Sequence, residues 1–276
     1  MVSQEQRRRQ LAREKFLRQQ QRRTSARRRT HTRNAVIAAV VGVVVAGGAT
    51  AYATGVFKSD GKKANAGAEV TPSASPSAAP SKAPDPCAKP AAGSVKTLTW
   101  KKEPAVTIDT SAAYTMKMAT TCGDIDIALK ASAAPHTVNS FDFLAGKGYF
   151  DHTKCHRLTT NGIYVLQCGD PTAQGSGGPG YTIPDENLKD KTLTSGVYPA
   201  GTIAMANTGQ KHTGGSQYFL VYQDSKLPPS YTPFGTISKS GLTVLKKIAA
   251  AGESTGQGDG APNATVVINK MTVTKS

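Results

Sequence analysis

Arg157 and Gln167 stand on either side of a predicted turn and are the residues best placed for chemistry. The dipeptide Asn161-Gly162 is typical of a β-hairpin, and residues 155–158 and 163–167 are predicted to be its strands. Because facing residues of adjacent strands point to the same side of a sheet, we expect Arg157 and Gln167 to lie side by side. A guanidinium offers five donors in one plane, so this pair is suited to holding a neutral ligand rich in carbonyl groups.

The elements around this hairpin are mostly strands. Residues 114–119 and 125–129 alternate between apolar and polar, and the turn at 121–124 predicts a second hairpin. Pro135 is suited to open a helix, which the glycines from Gly146 onward would end. Further strands are predicted at 202–206, 218–222, 232–237 and 264–274, and a second helix at 242–250. This order predicts a mainly β fold whose sheet closes on itself, with two helices over its ends.

The hairpin also belongs to a longer series of motifs. An aromatic pair, a His-Arg dipeptide, a Gln-x-Gly-Asp motif and a glycine run occur at Tyr149, Phe150, His156, Arg157, Gln167, Gly169, Asp170 and 175–180. Three more blocks follow at 205–207, 215–219 and 234–235. In this order and at this spacing, the blocks resemble the cyclophilin family of peptidyl-prolyl isomerases. The resemblance covers residues 114–274 and does not extend to the first third of the chain.

The resemblance implies a closed, eight-stranded antiparallel β-barrel capped by two α-helices, and an enzyme that rotates the peptide bond before proline without cofactor or metal. It implies that Arg157 is the catalytic donor to the twisting amide. It also implies a substrate-binding set, which is His156, Tyr164, Val165, Gln167, Ala206, Asn207, Gln217, Phe219, Leu227 and Tyr231. Within this set, Phe219, Tyr164 and Val165 would form the proline pocket, and Gln167 would orient Arg157.

Four positions depart from the best-known members of that family. Tyr164 stands where those members have phenylalanine, and Val165 where they have methionine. Leu227 falls where many have tryptophan, and Tyr231 falls near a pocket histidine. These changes leave the arginine donor in place but alter the walls of the pocket, so weak binding of cyclosporin-type inhibitors is expected.

Other readings of the same stretch fail on physical grounds. The glycine run 175–180 fits a dinucleotide fingerprint only as letters, because Pro179 and Pro184 prevent the helix that the fingerprint requires. Cys155 and His156 are neighbours on a predicted strand and face opposite ways, which disfavours both a shared metal site and a thiol-imidazole dyad.

The first part of the chain has the composition of a membrane anchor. Residues 1–34 hold eleven arginines and one lysine against two glutamates, a net charge of +10, and are expected to be a disordered cytoplasmic tail. Residues 35–57 carry no charge and are long enough to span a bilayer as one helix. The positive-inside rule then places the remainder outside the cell. A cleaved signal peptide ending near residue 53 is the alternative.

Residues 58–94 are rich in proline, alanine and serine and are predicted to be a linker, followed by an isomerase domain at 95–276. The four cysteines, Cys87, Cys122, Cys155 and Cys168, allow three pairings, and the sequence does not choose among them. We expect a monomer that acts on proline-containing polypeptides and binds no nucleic acid. Two rival functions stay open: a proline-peptide binding module with little turnover, and an envelope scaffold whose tail contacts lipid or nucleic acid.

Overall fold

The computed structural model describes residues 84–275. The predicted tail, the predicted membrane segment and residues 58–83 of the predicted linker lie outside the described residues. Within residues 84–275, no helix combines the length and the apolar composition that crossing a membrane requires.

The described chain forms strands and two helices. The strands are β1 (Tyr114–Thr120), β2 (Gly123–Leu129), β3 (Thr153–Lys154), β4 (Arg157–Thr159), β5 (Val165–Cys168), β6 (Val197–Tyr198), β7 (Thr202–Met205), β8 (Tyr218–Val221), β9 (Ser225–Lys226), β10 (Pro233–Ile237), β11 (Asp259–Gly260) and β12 (Val267–Lys275). The helices are α1 (Pro135–Gly146) and α2 (Lys239–Ala250). The predicted mainly β fold with two helices is thus confirmed.

Ten strands form one antiparallel sheet in the order β11-β4-β5-β8-β7-β10-β2-β1-β12-β3, while β6 pairs with β9 apart from it. The sheet is curled into a half-barrel, so the prediction of an eight-stranded barrel with two helices is borne out in part. The stretch between β3 and β4 is bonded on both sides: Cys155 N–H donates to the carbonyl of Val266, just before β12, at 3.0 Å, and His156 N–H donates to the carbonyl of Gln167 in β5 at 3.1 Å.

Both helices begin where their sequences favour a start. Pro135 occupies the first turn of α1, where its missing N–H costs nothing. Ser238 caps α2, because its side-chain oxygen accepts a hydrogen bond from the backbone N–H of Gly241 at 3.1 Å. The helix therefore starts at Lys239, three residues before the apolar residue Leu242 from which the sequence pattern predicted it.

The two faces of the central strands enter different apolar clusters. Leu158, Leu166 and Leu220 are buried in the main core, where helix α1 contributes Phe141. On the opposite face, Val165, Tyr198, Ala204, Phe219 and Val221 form a smaller buried cluster. Because side chains alternate along a strand, β5 and β8 serve both clusters at once. The smaller cluster provides the floor of the site described below.

Residues 84–113, here called the N-terminal arm, run along the outside of the domain. A disulfide joins Cys87 to Cys122 in the turn between β1 and β2. Further along, the ring of Trp100 packs edge-on against the ring of Phe143, with centroids 5.1 Å apart. The backbone N–H of Trp100 donates to the carbonyl of Pro179 at 2.8 Å. The arm therefore reaches the glycine run, and residues 84–94 of the predicted linker are tied to the domain.

Candidate functional site

The register of the sheet places the candidate residues in one row. Arg157 of β4 faces Gln167 of β5, Gln167 faces Phe219 of β8, and Phe219 faces Ala204 of β7. Cross-strand neighbours share a face, so the arginine, the amide and the phenyl ring all point away from the main core. The predicted side-by-side arrangement of Arg157 and Gln167 is confirmed, with Arg157 Nη1 donating to Gln167 Oε1 at 3.1 Å.

The hydrogen bond from Arg157 continues through two more amides. Gln167 Nε2 donates to Gln217 Oε1 at 3.0 Å, and Gln217 Nε2 donates to the carbonyl of Gly177 at 2.9 Å. Each amide uses its oxygen toward the arginine and its nitrogen away from it. The chain of bonds holds both glutamine side chains in one orientation and connects the guanidinium to the glycine run.

The carboxylate of Asp259 binds the other edge of the Arg157 guanidinium. Arg157 Nε and Nη2 donate to Asp259 Oδ1 and Oδ2, both at 2.7 Å. This paired hydrogen bond raises the pKa of Arg157, so the group carries its charge at every physiological pH.

A small cavity of about 110 Å³ lies beside the guanidinium. Its walls are Arg157, Ile163, Val165, Gln167, Ala206, Asn207, Phe219, Leu227 and Tyr231. The ring of Phe219 meets that of Tyr231 edge-on, with centroids 5.3 Å apart. An apolar cavity of about 150 Å³ accommodates benzene, so this one is suited to a smaller ring such as that of proline. Among these residues, Arg157, Gln167, Asn207 and the hydroxyl of Tyr231 supply the polar side-chain groups.

A larger groove of about 870 Å³ adjoins the pocket and shares Gln167, Ala206 and Asn207 with it. Residues 175–182 form one wall, and Lys101, Lys102 and Glu103 of the N-terminal arm contribute another part of the lining. An apolar pocket that opens into a polar groove is suited to one apolar side chain of an extended peptide and to the backbone that flanks it.

The family model described as cyclophilin type peptidyl-prolyl cis-trans isomerase/CLD matches residues 115–273. The chain belongs to the cyclophilin family. The match starts after the N-terminal arm, so the part of the groove that the arm lines lies outside the shared cyclophilin domain.

The chain is similar to several named proteins. A probable peptidyl-prolyl cis-trans isomerase B of Mycobacterium leprae is 49% identical over 58% of this chain and 57% of its own length. Peptidyl-prolyl cis-trans isomerase B of Bacillus subtilis is 39% identical over 45% of this chain and 82% of its own. A crystal structure of a Cryptosporidium parvum cyclophilin type isomerase aligns with 59% of this chain and 99% of its own, at 24% identity and a TM-score of 0.49. This cyclophilin thus spans little more than half the length of its mycobacterial relative.

Three predicted site residues lie outside the small pocket. Tyr164 packs against Tyr222, with ring centroids 6.0 Å apart, and contacts the main core. Ile163 and Val165 flank it in the chain and line the pocket instead, because neighbours along an extended chain face opposite ways. Gln217 lines the larger groove.

His156 lies beneath the glycine run and lines neither cavity. A Cβ on Gly175 would stand 3.8 Å from the imidazole. Both ring nitrogens are buried, and neither has a hydrogen-bond partner among the described residues. This burial lowers the pKa of His156, which is therefore a neutral ring at neutral pH.

The glycine run takes its shape from Asp170. The carboxylate of this fully buried residue accepts hydrogen bonds from the backbone N–H groups of Thr172, Gln174, Ser176 and Gly177, at 2.7 to 3.1 Å. Burial alone would raise the pKa of Asp170, but these donors hold it below its usual value. A Cβ on Gly177 would clash with this carboxylate, so the glycine is required for the close approach.

A disulfide between Cys155 and Cys168 joins the two strands that carry Arg157 and Gln167. Cys155 lies two residues before the arginine, and Cys168 directly follows the glutamine. The bridge is buried in the main core, beneath the hairpin that carries both site residues, so it constrains that hairpin.

Two residues of the site escaped the sequence analysis. Ile163 could have been found by alternation, since Val165 was already placed in the pocket. Asp259 lies 102 residues after Arg157, in a glycine-rich segment with no apolar pattern. Its only sequence signal is that it is one of two acidic residues, with Glu253, in a loop that carries no other charge.

Proposed function

We propose that the chain is a peptidyl-prolyl cis-trans isomerase that acts on X-Pro bonds of polypeptides. The observation that carries this proposal is a charged guanidinium at the rim of an apolar pocket of proline size. Membership of the cyclophilin family supports it.

Rotation of a prolyl peptide bond requires stabilisation of the twisted amide and no covalent chemistry. The bond before proline favours trans by only about 0.5–1 kcal/mol, but a barrier of about 20 kcal/mol separates the isomers because rotation breaks amide resonance. As the amide twists, its nitrogen becomes pyramidal and gains a lone pair. A donor that meets this lone pair stabilises the transition state more than the planar ground state. A ten-thousandfold acceleration needs about 5.5 kcal/mol, without nucleophile or base.

Each side chain of the site has a part in this scheme. Phe219, Val165 and Ile163 hold the ring of the substrate proline and keep water away. Arg157 donates to the twisting amide, and Gln167 orients the arginine through the 3.1 Å hydrogen bond. Asn207 and Ala206, at the junction of pocket and groove, bind the flanking peptide backbone.

The test is a protease-coupled assay of prolyl-peptide isomerisation with the purified full-length chain. Catalysed cis-to-trans conversion above the spontaneous rate is the expected result. Saturable binding of a proline peptide without any acceleration would instead support the rival reading, a proline-peptide binding module. Absence of both would leave neither function standing.

We further propose a location: residues 35–57 anchor the chain in the cell membrane, with residues 1–34 in the cytoplasm and the domain outside. The charge of the tail supports this orientation. Two disulfides in the described domain suit an oxidising compartment. The clients would then be secreted or envelope proteins that need slow prolyl bonds to rotate during folding.

Protease added to intact spheroplasts tests this topology. We expect release of a fragment that contains the domain without lysis, and protection of the domain until lysis would contradict the proposal. We also propose that the domain acts as a monomer, and sedimentation of the detergent-solubilised chain would reveal a larger assembly.

A further inference from the structure

The contact between Arg157 and Asp259 is more than a surface ion pair. We propose that Asp259 is a positioning residue, which holds the plane of the Arg157 guanidinium so that its free N–H groups face the proline pocket. This role rests on the proposed isomerase function and is independent of Gln167, which contacts a different nitrogen.

The paired contact of Asp259 with Arg157, here called the clamp, leaves part of the guanidinium free to bind substrate. A guanidinium has five N–H groups. Asp259 takes the Nε proton and one Nη2 proton, and Gln167 takes one Nη1 proton. One proton on Nη1 and one on Nη2 stay available for a substrate. Because each of the three guanidinium nitrogens makes one of these bonds, the arginine cannot rotate about its terminal bonds without breaking at least one of them.

Asp259 is itself held in place by the strand that carries the arginine. Strand β11 pairs with β4, and Asp259 faces Thr159, two residues along from Arg157. This makes Asp259 and Arg157 diagonal neighbours on adjacent strands, a distance that a long side chain can bridge. The clamp and the residue it holds therefore belong to one rigid ladder.

The loop before β11 is built around a second carboxylate. Glu253, which is 7% exposed, accepts hydrogen bonds from Thr255 N–H at 2.6 Å, Thr255 Oγ1 at 2.7 Å and Gly258 N–H at 2.8 Å. A Cβ on Gly260 would clash with Glu253, so the strand residue after Asp259 packs closely on this centre. The loop is thus folded to present Asp259.

Stability does not account for this arrangement. The Arg157 and Asp259 side chains are 37% and 56% exposed, and ion pairs of that exposure contribute little to stability. Lys117 of β1 and Asp124 of β2 form an ion pair of the same length, 2.7 Å, with 52% and 51% exposure, and neither residue lines the pocket or the groove. That pair has a single contact and provides a matched control.

The experiment compares Asp259→Asn and Asp124→Asn in the full-length chain, using prolyl-peptide isomerisation and thermal melting. We expect kcat/KM of Asp259→Asn to fall about tenfold through kcat, with KM nearly unchanged, because the pocket is intact but the donor is misaligned. Both variants should melt within a few degrees of the wild type. The Asp124→Asn variant should retain wild-type turnover.

A double-mutant cycle measures the coupling between Asp259 and Arg157 in turnover, which a merely structural role of Asp259 would not produce. Lysine cannot make the paired contact, so Asp259→Asn should have almost no further effect in an Arg157→Lys background. In addition, the Nε–H signal of Arg157 in nitrogen-edited NMR should exchange with water faster in Asp259→Asn than in the wild type.

The possible outcomes test the positioning role of Asp259 separately from the proposed isomerase function. Equal or higher turnover of Asp259→Asn relative to the wild type would overturn the role of Asp259 and leave the isomerase function intact. Additive effects of Asp259→Asn and Arg157→Lys would also overturn it. A wild-type chain without any turnover would remove the isomerase function, and the positioning role with it.

Discussion

Replacement of Arg157 by alanine separates catalysis from stability in this fold. The substitution removes the one charged donor at the rim of the pocket, together with its contacts to Asp259 and Gln167. The apolar floor of the pocket, built by Val165 and Phe219, is untouched. Substrate should therefore still enter the pocket while the rotating amide loses its partner.

The two expected effects differ greatly in size. Loss of one preorganised donor in an enzyme site costs about 10²–10³ in kcat. For stability, an exposed ion pair contributes about 0.2–1 kcal/mol, and the bond to Gln167 about 1 kcal/mol. Asp259 is 56% exposed and stays hydrated when its partner is removed. At about 2–4 °C for each kcal/mol, the melting temperature should fall by only a few degrees.

The assay is the protease-coupled prolyl-peptide reaction, with a thermal melt of each sample. Lys117→Ala is the matched control, since it breaks an ion pair of equal length and similar exposure away from the site. We expect the control to keep full turnover. A well-folded Arg157→Ala chain with near-wild-type kcat/KM would show that the arginine is not the donor, and the mechanism proposed here would fail.

Three other substitutions test further parts of the site. Leu227→Trp should strengthen cyclosporin binding about five- to hundredfold in a calorimetric titration, because the indole N–H adds a donor worth about 1–3 kcal/mol; no gain would show that this wall does not control inhibitor binding. Burial lowers the pKa of His156 below 6.5, so the unfolded chain takes up the proton more readily. The contribution of His156 to the free energy of unfolding should be complete above pH 6.5 and should decline as the pH falls below it. In urea unfolding at a series of pH values, the His156→Gln variant should lack this decline. Replacing both Cys155 and Cys168 by serine should cost about 3 kcal/mol in urea unfolding, since the bridge closes a short loop, and should lower kcat/KM by loosening the strand of Arg157; unchanged turnover would mean that the hairpin does not need the bridge.

The sequence alone determined the local parts of this cyclophilin. The facing of Arg157 and Gln167 follows from a loop of only five residues, 160–164, and from the alternation of the strands beside it, which involve only near neighbours in the chain. The start of helix α1 at Pro135 and the first hairpin have the same local origin. For such features the nearest residues supply both the pattern and the physical cause.

The tertiary structure decided whatever depends on contacts between distant segments. It placed Asp259 on Arg157 across 102 residues, and it chose the pairs Cys87–Cys122 and Cys155–Cys168 from three possibilities. It also set the order in which ten strands join one curled sheet. Each outcome depends on strand order and register in three dimensions. The alternation of apolar and polar residues along the chain does not determine strand order or register, because many arrangements of the same strands satisfy the same alternation.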